Sequence, residues 1–162
     1  MGAGKSSVAL GLSKRKGWGV IDTDASIERV HGRSIDDLFV RDGETAFRDY
    51  EHNVLSDLNC DNTIISTGGG MVLRQDNRPL LKSLGIVVWL QVSQEMVFRR
   101  LKYDTTRPLL KRHDWQEEVR KLLLIRNPIY AEVADITVST DRDSVNKIVN
   151  NIISKLAVIG HG

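Results

Sequence analysis

Gly2-Ala3-Gly4-Lys5-Ser6-Ser7 opens the chain with the closing half of a phosphate-binding loop. In the full pattern G-x-x-x-x-G-K-[ST], glycines let successive backbone N–H groups turn inward. The loop then feeds the positive end of a helix, so a polyphosphate is held by amides, dipole and lysine together. Gly4-Lys5-Ser6 fits the end of that pattern, with Gly2, Ala3 and Ser7 completing the cradle. Lys5 is placed to reach the β- and γ-phosphates and the Ser6 hydroxyl to join the shell of a Mg²⁺ ion. Val8, Ala9 and Leu12 form an apolar stripe behind the loop, which predicts a helix over residues 5 to about 15. The opening glycine of the pattern would fall two residues ahead of Met1, as would the hydrophobic strand that ordinarily delivers the loop. The expectation is therefore that Met1 is an internal methionine of a longer protein. The 162-residue form, without its central strand, is expected to be poorly soluble or to bind nucleotide weakly.

Composition narrows the function classes. With 162 residues, 41% of them apolar, the chain can bury one sizeable core, and a single domain over residues 1–162 is expected. Twenty-three basic against twenty-one acidic side chains leave a net charge of +2, too balanced for a basic nucleic-acid-binding face. Cys60 stands alone, which excludes an internal disulfide, and the four histidines have no zinc-ligand spacing. No apolar run approaches the ~20 residues that span a bilayer. The expectation is a soluble, cytoplasmic monomer without membrane or nucleic-acid partners.

Strands and helices alternate by short connections. Val20-Ile21 reads as a buried strand ending in Asp22-Thr23-Asp24, followed by a short helix over 25–31 and another opened by Ser34 as N-cap. After Asp42-Gly43 a longer helix carries Phe47, Tyr50, Val54 and Leu58 on one stripe, which leaves Arg48 and Glu51 on a different face. Residues 63–67 form a β-branched strand running into Gly68-Gly69-Gly70, three glycines that only a close approach would justify. Polar residues 74–79 lead to a strand over 86–90 covered on both faces. Ser93 caps the next helix, and residues 103–113 have charge without periodicity, as in a mobile loop. Asp114 and Glu117 read as a capping box, and Pro128 as a kink or restart with Asn127 as its N-cap. A last strand over 136–138 and a helix with Val145, Ile148, Val149, Ile152 and Leu156 on one stripe close the domain. This order predicts a three-layer α/β/α domain with a parallel sheet.

Five features in one order, Gly-Lys-Ser, Asp22-Thr23-Asp24, Phe47-Arg48 with Glu51, the triple glycine, and Arg107-Pro108-Leu109-Leu110, resemble the shikimate kinase family. The resemblance covers essentially the whole chain and includes Arg126-Asn127-Pro128-Ile129-Tyr130. It implies ATP-dependent phosphorylation of the 3-hydroxyl of shikimate, a step toward chorismate and the aromatic amino acids, on a P-loop fold like that of nucleoside monophosphate kinases.

The resemblance also implies roles for single residues. Arg48 and Arg126 would hold the substrate carboxylate, with Glu51 orienting Arg48. Asp24 would accept a hydrogen bond from the reacting hydroxyl and serve as base. Asp22 would sit behind Ser6 and order the Mg²⁺ shell through water. Two acids at a strand end equally suit a turn and a helix cap. Gly68, Gly69 and Gly70 would let backbone amides approach the substrate, Arg107 would bring charge to the transferring phosphoryl group from a lid loop over 103–113, and Arg100 and Arg142 would pack on adenine. Two other readings stay open: a related kinase for gluconate or a nucleoside monophosphate, and a truncated, non-catalytic binding protein.

Overall fold

The computed structural model describes residues 2–102 and 114–160. The chain divides into two compact units, Met1–Val8 with Val88–Gly162, and Ala9–Val87. The strands pair two by two in parallel, within two separate two-stranded sheets. The α/β class and the parallel pairing are as expected.

In Ala9–Val87, strands β1 (Gly19–Asp22) and β2 (Thr63–Ser66) run in register from Gly19 opposite Thr63 to Asp22 opposite Ser66. Helix α1 (Lys5–Lys16) ends at Gly17, whose φ of 69° is the left-handed stop that glycine supplies. Val20 is 43% exposed, so β1 is not the buried strand expected; in a two-stranded sheet it has one lateral neighbour only. Helix α2 (Thr23–His31) starts two residues earlier than predicted because Asp22 caps it, its Oδ1 accepting from the Asp24 and Ala25 N–H groups. Helix α3 (Ile35–Ser56) is capped by Ser34 and changes direction at Gly43, where φ 83° and ψ 172° leave the helical region. Ile27, Leu38 and Phe47 form the core of this α2–α3 pair, with Phe39, Tyr50 and Val54 packed against it.

Residues 74–79, expected as a connection, instead carry a 3₁₀ turn (Met71–Leu73) into helix α4 (Asn77–Leu84). A buried asparagine is the cause. Asn77 is fully buried, donates from Nδ2 to the Met71 carbonyl at 2.9 Å and faces His52 Nδ1 with Oδ1 at 2.7 Å. Pro79 sits in the first turn of α4, where its missing N–H would have had no helical partner.

In the other unit, β3 (Val88–Gln91) and β4 (Ile136–Ser139) pair with Val88 opposite Ile136 and Gln91 opposite Ser139. The strand starts two residues later than the apolar run suggested and is half-buried rather than covered on both faces, with Gln91 exposed. Helix α5 (Gln94–Leu101) is capped by Ser93, and Val97 and Leu101 meet Val119 of helix α6 (Trp115–Val133) in a core that includes Phe98, Trp115 and Leu123. Asp114 precedes α6, but its side chain makes no cap hydrogen bond, so the expected capping box is not formed. Nor does Pro128 break the helix. Its ring removes one main-chain hydrogen bond at a cost of ~3 kcal/mol, and packing of Tyr130 on Trp89, with ring centres 5.8 Å apart, anchors the turn that follows. Helix α7 (Val145–Val158), capped by Ser144, buries Ile148, Val149, Ile152 and Leu156 and packs on β4. Among the described residues no helix is long and apolar enough to cross a membrane.

Candidate active site

Parallel strands that end in register bring together whatever follows them. Asp22 lies opposite Ser66, so Asp24 and Gly68, each two residues further on, come out at the same place. A Cβ added at Gly68 would stand 2.7 Å from Asp24 Oδ1, nearer than real Cβ atoms approach, and 3.0 Å from Glu51 Oε1. The Gly68 N–H donates to Thr23 Oγ1 at 3.2 Å, and the Thr23 hydroxyl bonds the Ser66 carbonyl at 3.4 Å. The glycine run therefore makes room first for the protein's own side chains, and the Gly68 amide is engaged internally. Fully buried Thr23 is a positioning residue that sequence reasoning passed over; its place between two acids at a strand end was the available signal.

Arg48 closes this cluster. Its Nη1 donates to Glu51 Oε2 at 2.6 Å and its Nη2 to Glu44 Oε1 at 2.8 Å, while Phe39 and Phe47 lie within 6 Å of the guanidinium carbon. The Arg48 side chain is 15% exposed and that of Glu51 only 2%, so this is no surface pair, whereas Glu44 is 65% exposed. Burial alone would pull the Arg48 pKa down, but the hydrogen bonds and charges of Glu51 and Glu44 outweigh it and raise the pKa above its ordinary value. A Cβ at Gly70 would stand 2.2 Å from Arg48 Nη1, so a side chain there would strike a guanidinium that two carboxylates already hold. Glu44, one helical turn before Arg48, was legible from its spacing.

In the other unit, the phosphate loop needs its glycines for backbone reasons. Gly2 and Gly4 have φ of 68° and 79°, and the Val8 N–H bonds the Gly4 carbonyl at 3.0 Å as α1 begins. Gly4, Ser6 and Ser7 are exposed, Lys5 is half-buried and Ala3 is buried. Arg100 donates to the Gly2 carbonyl at 2.8 Å and to Thr140, so its guanidinium is engaged with the loop. Arg142 is exposed in the bend after β4. Arg126, on α6, keeps a buried Nε that makes no hydrogen bond among the described residues. Arg107 and the loop over 103–113 lie outside the described residues.

Asp22 spends one carboxylate oxygen on the α2 cap. Among the described residues no three His, Cys, Asp or Glu side chains are grouped to hold a metal ion by themselves. A Mg²⁺ ion beside a nucleotide needs no such cluster, because it keeps several waters and takes phosphate oxygens with one or two protein oxygens.

The sequence model of the family "Shikimate kinase" matches residues 1–157, across both units. A shikimate kinase of Bacillus anthracis (strain CDC 684 / NRRL 3495) is 42% identical over 156 residues, covering 96% of this chain and 93% of the relative. One from Actinobacillus pleuropneumoniae serotype 5b (strain L20) is 40% identical over 154 residues, covering 94% and 89%. Among solved structures, a shikimate kinase from Acinetobacter baumannii in complex with shikimate superposes with a TM-score of 0.92 at 36% identity, over 98% of this chain and 89% of that one. The enzyme from Bacteroides thetaiotaomicron gives 0.89 at 29% identity, over 97% and 94%. A phosphate loop on a parallel α/β frame, with an acid and a carboxylate-held arginine converging on a glycine run, agrees with those matches, and the chain belongs to the shikimate kinase family of ATP-dependent phosphotransferases.

Proposed function

We propose that the chain transfers the γ-phosphoryl group of ATP to the 3-hydroxyl of shikimate. The observation that carries the substrate assignment is the convergence of Asp24, Arg48 and Glu51 on Gly68 and Gly70. A polyhydroxylated acid needs a fixed cation for its carboxylate and an acceptor for the reacting hydroxyl, and these residues supply both. A shikimate complex of the Acinetobacter relative supports the same choice.

Both arms of the Arg48 fork are taken by glutamates. A substrate carboxylate would displace exposed Glu44, which regains water at little cost, while buried Glu51 keeps the guanidinium oriented. Arg126, through its unpaired Nε, would supply a second donor to that carboxylate. Asp24 would take the proton of the hydroxyl as it attacks, and Lys5 with the loop amides would hold the phosphates. Mg²⁺, when bound, would neutralise charge on those phosphates, held by the Ser6 hydroxyl and, through water, by Asp22.

A release assay for ADP with shikimate, gluconate and nucleoside monophosphates offered separately tests the assignment. Shikimate is expected to support turnover with Mg²⁺ present. Turnover with either of the others and none with shikimate would overturn the reading; binding of shikimate without turnover would favour a non-catalytic relative.

A further inference from the structure

Three segments far apart in sequence meet at one arginine. From the last turn of α5, Arg100 donates through Nη1 to the Gly2 carbonyl at 2.8 Å and to Thr140 Oγ1 at 3.3 Å, and through Nη2 to the Thr140 carbonyl. Thr140 follows β4 directly and is 1% exposed. Its N–H donates to the Gln91 carbonyl, at the end of β3, at 2.8 Å, and its hydroxyl lies 3.2 Å from the same oxygen. A guanidinium only donates, so the hydroxyl proton must go to Gln91 and the lone pairs must face Arg100. The next residue braces the same helix: Asp141 Oδ1 accepts from the N–H of Ser93, the α5 cap, at 2.8 Å.

The Gly2 carbonyl and the Ala3 N–H share one planar trans peptide, oxygen and hydrogen on opposite sides. Pinning the oxygen on Arg100 therefore aims the Ala3 N–H away from it, and that amide is one of those the loop pattern turns on phosphate. The partners of Arg100 among the described residues are two carbonyls and a hydroxyl, so no carboxylate cancels its charge beside the loop.

We propose that Thr140 is a positioning residue for the nucleotide: acting through Arg100, it sets the Gly2–Ala3 peptide and holds a positive charge at the phosphate loop. This rests on the reading that the loop holds ATP, and it is independent of which acceptor is phosphorylated. Thr140→Val keeps the shape and removes the hydroxyl, while the main-chain N–H still serves the Gln91 carbonyl. Titration calorimetry with ADP is expected to show affinity reduced about tenfold or more, the loss of one hydrogen bond to a charged group. Thr140→Ser should stay within about twofold of the parent, and the KM for the acceptor should not move. In the Arg100→Ala background the valine should add nothing, since Thr140 acts through that side chain. The same factor lost again in that background, or ADP affinity and acceptor KM worsening together with a lower melting temperature, would make Thr140 a packing residue and overturn the proposal. If the valine variant does not fold, Arg100→Lys keeps the charge but not the fork, and an unchanged ADP affinity there would overturn it equally. A parent that binds no ADP also overturns it, whereas a parent that binds ADP but leaves shikimate unphosphorylated counts only against the acceptor assignment.

Discussion

Arg48 is held in two ways that differ in strength. The contact with Glu51 is short and withdrawn from water, while that with Glu44 lies in solvent, where an ion pair contributes only ~0–1 kcal/mol. The raised pKa of Arg48 means that its pairing stabilises the folded state below the unfolded pKa and is lost only as pH rises through the folded one, far into the alkaline range. Its charge is thus constant over working pH. Gly70 is what lets this guanidinium come so close to the loop. Gly70→Ala is expected to force it off its partners, because the new Cβ would begin 2.2 Å from Nη1. Steady-state kinetics should show the KM for shikimate raised about tenfold or more, with that for ATP little changed, since the lost interaction is a charge-assisted hydrogen bond. Equal damage to both constants would remove Arg48 from the carboxylate role.

At the scale of elements, α3 shows how one residue redirects a helix. Ser34 starts it, Gly43 turns it, and the turn lets Leu38 before it and Phe47 after it enter one core with Ile27. The φ of 83° and ψ of 172° at Gly43 belong to a region essentially closed to side chains, although a Cβ there would meet open space. Strain rather than a clash sets the cost. Gly43→Ala should therefore destabilise the protein by about 1–3 kcal/mol, read as a lower urea midpoint at unchanged slope. Wild-type stability in the alanine variant would show that the segment bends elsewhere. The α4 boundary teaches the converse: its start depends on Asn77 reaching the Met71 carbonyl and His52, partners that local polarity does not announce.

For the whole molecule, each unit carries part of the candidate chemistry, the acceptor residues Asp24 and Arg48 in Ala9–Val87 and the phosphate loop in the other. Ligand linkage tests both parts. Shikimate at a hundredfold excess over its Kd should stabilise the chain by ~2.7 kcal/mol in urea unfolding, ADP should do likewise, and gluconate should do neither. An equal shift with gluconate would mean that the Arg48 cluster does not discriminate. Sequence alone determined the phosphate loop, the α/β order, the Ser34 and Ser93 caps and the glycine run, because a helix start, an alternation of apolar periods or a left-handed glycine is specified within a few neighbouring residues. It determined Arg48 and Glu51 as a pair by helical spacing, but not that Glu51 is buried. Tertiary structure decided what depended on partners distant in the chain. The Asp22–Ser66 register sets Asp24 beside Gly68, Thr23 satisfies a carbonyl that local sequence cannot foresee, Trp89 carries α6 past Pro128, and Thr140 ties Arg100 to Gly2. Hydrogen bonds and close approaches between segments 40 to 98 residues apart have no local period to read; they exist only once the strands have paired.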